Sequence, residues 1–140
     1  MVQREAYILK SSDDGKKHVC IDAENEASIL DFLERQKGAK KKFQYIVGII
    51  LSGIHNSHLY GDENINDETE NVTAMKMFQS GANIRLYCKE QEGLSGTFYV
   101  IVAELLPKKK TQKVTGDAKQ LIKKVGNYEY KIIERPPAAK

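Results

Sequence analysis

The chain has 140 residues, 41% of them hydrophobic and 29% charged, with a formal net charge of +3. That length suits one domain with one sizeable core, and the composition excludes wholesale disorder and a low-complexity fibre. Two cysteines, Cys20 and Cys88, without a CxxC pair argue against a disulfide scaffold or a structural zinc centre, so a reduced, cytoplasmic protein is expected.

The opening residues, MVQREAYILK, carry an early acid and no apolar run, so no secretory leader is expected. A β-hairpin comes first. Residues 6–10 (AYILK) and 18–22 (HVCID) are short apolar segments, and SSDDG at 11–15 supplies turn chemistry between them. From Glu26 the period changes. Ala27, Leu30 and Leu33, with Ile29 adjacent, predict a helix that stops at Gly38. In the next segment Phe43, Ile46, Val47, Ile50, Leu51 and Ile54 fall three and four apart, one apolar stripe on a helix of roughly fifteen residues. These two helices are expected to form an antiparallel pair. Residues 45–54 are the longest apolar stretch, too short to cross a bilayer of about 30 Å at about 1.5 Å per residue, so no membrane partner is expected.

Residues 56–73 break all periodicity and hold five acids between Asp62 and Glu70, which predicts a mobile acidic loop inserted into a compact fold. Three strands follow: 74–78 (AMKMF), 83–89 (NIRLYCK) and 97–106 (TFYVIVAELL), joined by short glycine-containing segments as an antiparallel meander. Pro107 ends the third, and KKKTQK at 108–113 makes a basic connection. Thr115 is the expected N-cap of a last helix with Asp117 in its first turn; Ala118, Leu121, Ile122 and Val125 form its apolar face. The fold expected is therefore α+β: a meander plus an N-terminal strand or hairpin, packed against a helical hairpin, with a C-terminal helix. Residues 1–133 form one domain and 134–140 a flexible tail.

Charge is distributed unevenly. Residues 1–70 carry 9 Lys and Arg against 13 Asp and Glu, whereas residues 71–140 carry 13 against 6. Such asymmetry suits a polyanion-binding face, although for a charge run alone a solvated lysine-rich helix is the commoner explanation. Strand alternation puts Ile84, Leu86, Cys88, Met75 and Met77 on one face and Lys76, Phe78, Arg85, Tyr87 and Lys89 on the other. If the helical hairpin covers the first face, the second is open, and its cations and rings suit RNA: lysines on phosphates, rings on unpaired bases. Cross-strand packing explains the same rings without RNA. His55 and His58 form an HxxH pair beside Asp62 and Glu63, but two imidazoles without a second cluster predict no metal site. The chain has no GxGxxG, P-loop, GxSxG or HExxH motif, and no cofactor is expected.

The order of hairpin, two helices, acidic insertion, meander, KKKTQK and terminal helix resembles the RelE/ParE superfamily of bacterial and phage toxins, its HigB-like branch in particular. Residues 83–87 (NIRLY), followed by 100–113 (VIVAELLPKKKTQK), carry the resemblance most specifically. It implies a toxin of a type II toxin–antitoxin system, a ribosome-associated endonuclease of mRNA neutralised by a helix-turn-helix antitoxin. The implied chemistry is attack by a ribose 2′-OH on the adjacent phosphate, which needs a proton acceptor, stabilisation of the pentavalent phosphate and a donor to the leaving oxygen.

Carried onto this chain, the resemblance assigns Arg85 and Lys76 to the phosphate, and Tyr128 and Tyr130 to the scissile site. Tyr87, Lys89, Lys108, Lys109, Lys110 and Lys113 become RNA contacts. Phe78 where a cation is expected, and the scarcity of acid/base residues, favour an alternative, a non-catalytic binding module on the same scaffold (a decayed toxin, a phage accessory or a gyrase-binding relative), and two departures from the family pattern bear on catalysis. Phe78-Gln79 stand where the family strand ends in arginine, and Leu106-Pro107 where a phenylalanine is common. A third reading is an unrelated α+β interaction domain whose lysines serve solubility.

Overall fold

The structure, a computed structural model, describes residues 2–63, 69, 71–77, 84–106 and 116–134. Among them are seven strands and three α-helices in the order β1 (Val2–Ser11), β2 (Lys17–Asp22), α1 (Glu26–Arg35), α2 (Ala39–Ser52), β3 (Tyr60–Asp62), β4 (Val72–Lys76), β5 (Arg85–Glu92), β6 (Phe98–Leu106), α3 (Gly116–Gly126) and β7 (Tyr128–Ile133). The class is α+β. All strands join one sheet, ordered β3-β4-β5-β6-β2-β1-β7, in which β2–β6 and β1–β7 run parallel and the other pairs antiparallel.

Local chemistry explains the hairpins. In the β1–β2 turn, Asp14 accepts from the Ser12 hydroxyl (2.7 Å) and the Lys16 N–H (3.0 Å), and Gly15 takes a φ of 73° that side chains resist. Gly38 does not end α1, as its position predicts. The helix closes earlier, at Arg35, and Gly38 starts α2 instead. No Asn25 side-chain bond caps α1. Asp22 instead shapes the turn that leads into the helix, its Oδ1 accepting the N–H groups of Glu24 (2.8 Å) and Asn25 (3.0 Å). The freed Asn25 amide donates to the Ala103 carbonyl (2.8 Å), on the residue where the β5–β6 register slips.

The sheet has two cores because successive side chains point to opposite faces. One face carries Val19, Ile21, Met75, Met77, Ile84, Leu86, Cys88, Val100 and Val102 against Ile29, Leu33, Phe43, Ile46, Val47, Ile49 and Ile50 of the helical pair. This is the partition that alternation predicts. The opposite face carries Ala6, Cys20, Val72, Ala74, Tyr87, Ile101 and Ala103 against Ala118, Ile122 and Val125 of α3, with Tyr128 and Tyr130 of β7. The expectation that this second face lies open is therefore corrected. The stripe on α3 needs an apolar partner, and the small residues Ala74, Ala103 and Cys20 leave a trough for it.

Two other expectations change. The 56–73 segment is not a uniform loop, since β3 and the start of β4 fall inside it. Tyr60 accounts for that strand: its ring packs on the first core, while its hydroxyl donates to Glu90 (2.6 Å) and accepts from Thr73 (2.8 Å). Residues 128–133, unassigned by periodicity, form the edge strand β7. The N-cap residue Thr115 and the tail 135–140 lie outside the described residues.

The sheet also curls. β6, β2 and β1 separate β5 from β7 in the strand order, yet the Gln91 side chain bonds both backbone groups of Tyr130. Its Nε2 donates to the Tyr130 carbonyl (3.1 Å), and its Oε1 accepts the Tyr130 N–H (2.7 Å). Gln91 thus stands in for a strand at the free edge of β7. Gln91→Ala leaves that N–H and carbonyl without protein partners, and an expected loss of about 1–3 kcal/mol is measurable by urea denaturation. A loss below about 0.5 kcal/mol counts against a closing role.

Candidate nucleic-acid interface

Cross-strand register decides which expected site residues meet. Lys76 of β4 lies opposite Arg85 of β5, and Arg85 opposite Leu106 of β6. Three adjacent strands thus bring two cations and the point where the basic run begins to one corner of the sheet. Lys108, Lys109, Lys110 and Lys113 themselves lie outside the described residues, as do Phe78 and Gln79. The corner is supplied with partners from the chain just before and just after β3. Arg85 Nη1 donates to Glu63 Oε1 (2.6 Å) in an ion pair that is mostly shielded, with side chains 17% and 12% exposed. Lys76 Nζ donates to the Ser57 carbonyl (2.8 Å).

Tyr87 and Lys89 are not on an open surface. Tyr87 is 1% exposed within the α3-side core. Burial pushes its phenol up to about 12, reinforced by the Glu63 charge and opposed by Arg85. Lys89 is 7% exposed, and its ammonium donates to the Gly126 carbonyl (2.7 Å) at the C-terminus of α3. A cation there meets the negative end of the helix dipole and an otherwise orphan carbonyl. Desolvation lowers its pKa, with Glu129 acting the other way. Both residues hold α3 and the sheet together, which corrects their expected place among exposed RNA contacts.

Tyr128 and Tyr130 belong to a different set of contacts, one that periodicity does not reveal. Their rings meet edge to face at 5.8 Å. The Tyr128 hydroxyl donates to Glu104, which Lys124 also approaches at 3.7 Å. The Tyr130 hydroxyl donates to Asp22 Oδ2 (2.6 Å). Asp22 is fully buried and also receives Arg4 through Nε (2.6 Å) and Nη2 (3.0 Å), a two-pronged charge-assisted contact. The same guanidinium lies 4.4 Å from the Tyr128 ring centroid and reaches Glu24 at 2.6 Å. Burial first, and the neighbouring carboxylates next, push both phenols well above the ordinary tyrosine range, and Arg4 holds its proton more firmly than a free arginine. One signal for this network is visible in the sequence: an acid closing the apolar run VCID, where a strand end buries it.

Burial raises the pKa of Glu90, while the bond from Tyr60 opposes the rise. Among the described residues, no three His, Cys, Asp or Glu side chains gather as a metal-holding group, and no helix is long and apolar enough to cross a membrane. What the corner can do chemically is bind an anion, through one planar fork and one ammonium side by side. Comparison with protein-family models, with curated proteins and with solved structures returns no match for this chain.

Proposed function

We propose that this chain is a binding module on a RelE/HigB-like scaffold that holds single-stranded RNA at the Lys76–Arg85 corner without cutting it. One observation carries the non-catalytic reading: both phenols that the resemblance assigns to a scissile phosphate are buried, and each is already donating to a carboxylate, Tyr128 to Glu104 and Tyr130 to Asp22. A phenol whose proton is held this firmly, out of reach of solvent, neither donates to a leaving oxygen nor accepts from a ribose hydroxyl. The scaffold is that of the resemblance; the element order follows it through hairpin, two helices, meander and α3 and departs from it in β3 and in β7, which follows α3.

The second reading is a ribosome-associated mRNA endonuclease, the toxin of a pair with a helix-turn-helix antitoxin. The cross-strand adjacency of Lys76 and Arg85, with Leu106 beside them, favours it, since a guanidinium and an ammonium together stabilise a pentavalent phosphate. One pair of proteins, the wild type and a double variant, separates the two. The wild type is expected to retain a single-stranded RNA oligonucleotide in low salt and to leave mRNA intact in a bacterial translation extract. The Lys76→Ala/Arg85→Ala double variant is expected to weaken retention at least about tenfold and to flatten the plot of log affinity against log salt by about 1.4, roughly 0.7 for each lost phosphate contact. Cleavage by the wild type that vanishes in the double variant overturns the binding reading in favour of the endonuclease.

A further inference from the structure

The corner cations are not waiting in solvent. A single stretch of chain, residues 57–63 around β3, engages both of them: the Ser57 carbonyl takes the Lys76 ammonium, and the Glu63 carboxylate takes the Arg85 guanidinium at 2.6 Å. Glu63 is itself tied to the sheet, its N–H donating to the Val72 carbonyl (2.8 Å), and Tyr60 anchors the strand before it through Glu90 and Thr73. The carboxylate is therefore held in place beside Arg85 instead of sampling solvent on a free loop. A carboxylate and a phosphate present the same feature to a guanidinium, two oxygens that fit its fork.

We infer that Glu63 is an internal substitute for a phosphate, an autoinhibitory contact that RNA must displace before Arg85 can bind it. This rests on the binding reading above and adds its regulation. The exchange involves one side chain leaving another; Tyr60 keeps β3 paired throughout, so no strand has to unfold. Its consequence is a threshold: affinity is set by the difference between two anions competing for one arginine, and RNA gains only what exceeds the internal pair. Any change that neutralises or withdraws Glu63 opens the site.

The test compares binding of one fluorescein-labelled single-stranded RNA oligonucleotide by the full chain and three variants across a salt series. Glu63→Gln is expected to raise affinity about tenfold in low salt, because RNA no longer has to displace a carboxylate to reach Arg85, with the salt dependence unchanged since Arg85 meets the same phosphate in both proteins. Glu63→Asp keeps the charge but withdraws it by one methylene, and a smaller gain is expected. Glu92→Gln removes an exposed carboxylate at the far end of β5 and reports the effect of net charge alone. Equal affinity of wild type and Glu63→Gln, or an equal gain in Glu92→Gln, overturns the latch while leaving RNA binding standing. Failure of all four proteins to retain RNA at any salt overturns the binding reading and the latch together. A Glu63→Gln protein that unfolds below the wild-type midpoint is replaced in this comparison by Glu63→Asp, for which wild-type affinity is the overturning result.

Discussion

Replacing Asp22 with alanine is expected to lower the stability of this protein by about 3–5 kcal/mol, the range for stripping one partner from a buried ion pair. The size follows from how many groups the carboxylate serves. It is fully buried and receives two nitrogens of Arg4, the Tyr130 hydroxyl and two backbone N–H groups of the turn that leads into α1. Removing it leaves a mostly buried guanidinium without its main counter-charge and a phenol without an acceptor, and loosens the turn that leads into α1. These losses join β1, β2, α1 and β7, so the variant should unfold in one transition at a lower urea midpoint. At a slope of about 2 kcal/mol per molar, the shift is about 2 M. The double variant Arg4→Met/Asp22→Leu is expected to recover most of the loss, because an apolar pair of similar bulk removes the stranded charge as well as the bond. A loss under about 1 kcal/mol for Asp22→Ala alone shows that water or Glu24 compensates, and the network is then not what holds the termini.

Ile122→Ala carries the second large expectation, a loss of about 2–5 kcal/mol. Ile122 is fully buried at the centre of the α3 stripe, between Ala118 and Val125, over the face that bears Tyr87. Stability alone does not distinguish a cavity from a helix that has lifted, but the tyrosine does. Burial holds the Tyr87 phenol up to about 12, against about 10 for a solvated one. The native state therefore keeps that proton where the unfolded chain has released it, and it loses stability as pH rises through the interval from about 10 to about 12. If α3 lifts in the variant, Tyr87 titrates nearer 10 in alkaline difference spectra and the alkaline loss of stability shrinks. An unchanged titration means that α3 still covers the sheet, and the whole energetic cost lies in the cavity.

This covered face bears directly on the functional reading. The RNA surface that strand alternation offers contains five side chains; the structure leaves Lys76 and Arg85 at a corner and puts Tyr87 and Lys89 under α3, while Phe78 lies outside the described residues. The difference has one physical cause. Alternation states which side chains share a face, and says nothing about what packs on it. A helix with an apolar stripe from Ala118 to Val125 must bury that stripe somewhere, and it shares one core with the small residues Ala74, Ala103 and Cys20.

By itself the sequence determined the elements whose signals are local. Period and turn chemistry suffice for the β1–β2 hairpin, the α1–α2 pair, the meander of β4, β5 and β6, and α3, and alternation suffices for the Met75–Leu86–Cys88 face beneath the helices. Only the tertiary structure decided the features made by residues far apart in the chain: Arg4 and Tyr130 meeting at Asp22, Glu63 reaching Arg85, and Gln91 bonding the edge of β7. A polar side chain satisfies its hydrogen bonds with whatever the fold brings near it, and no spacing along the chain records that meeting. Burial then sets the chemistry that remains, making Tyr128 and Tyr130 firm proton holders.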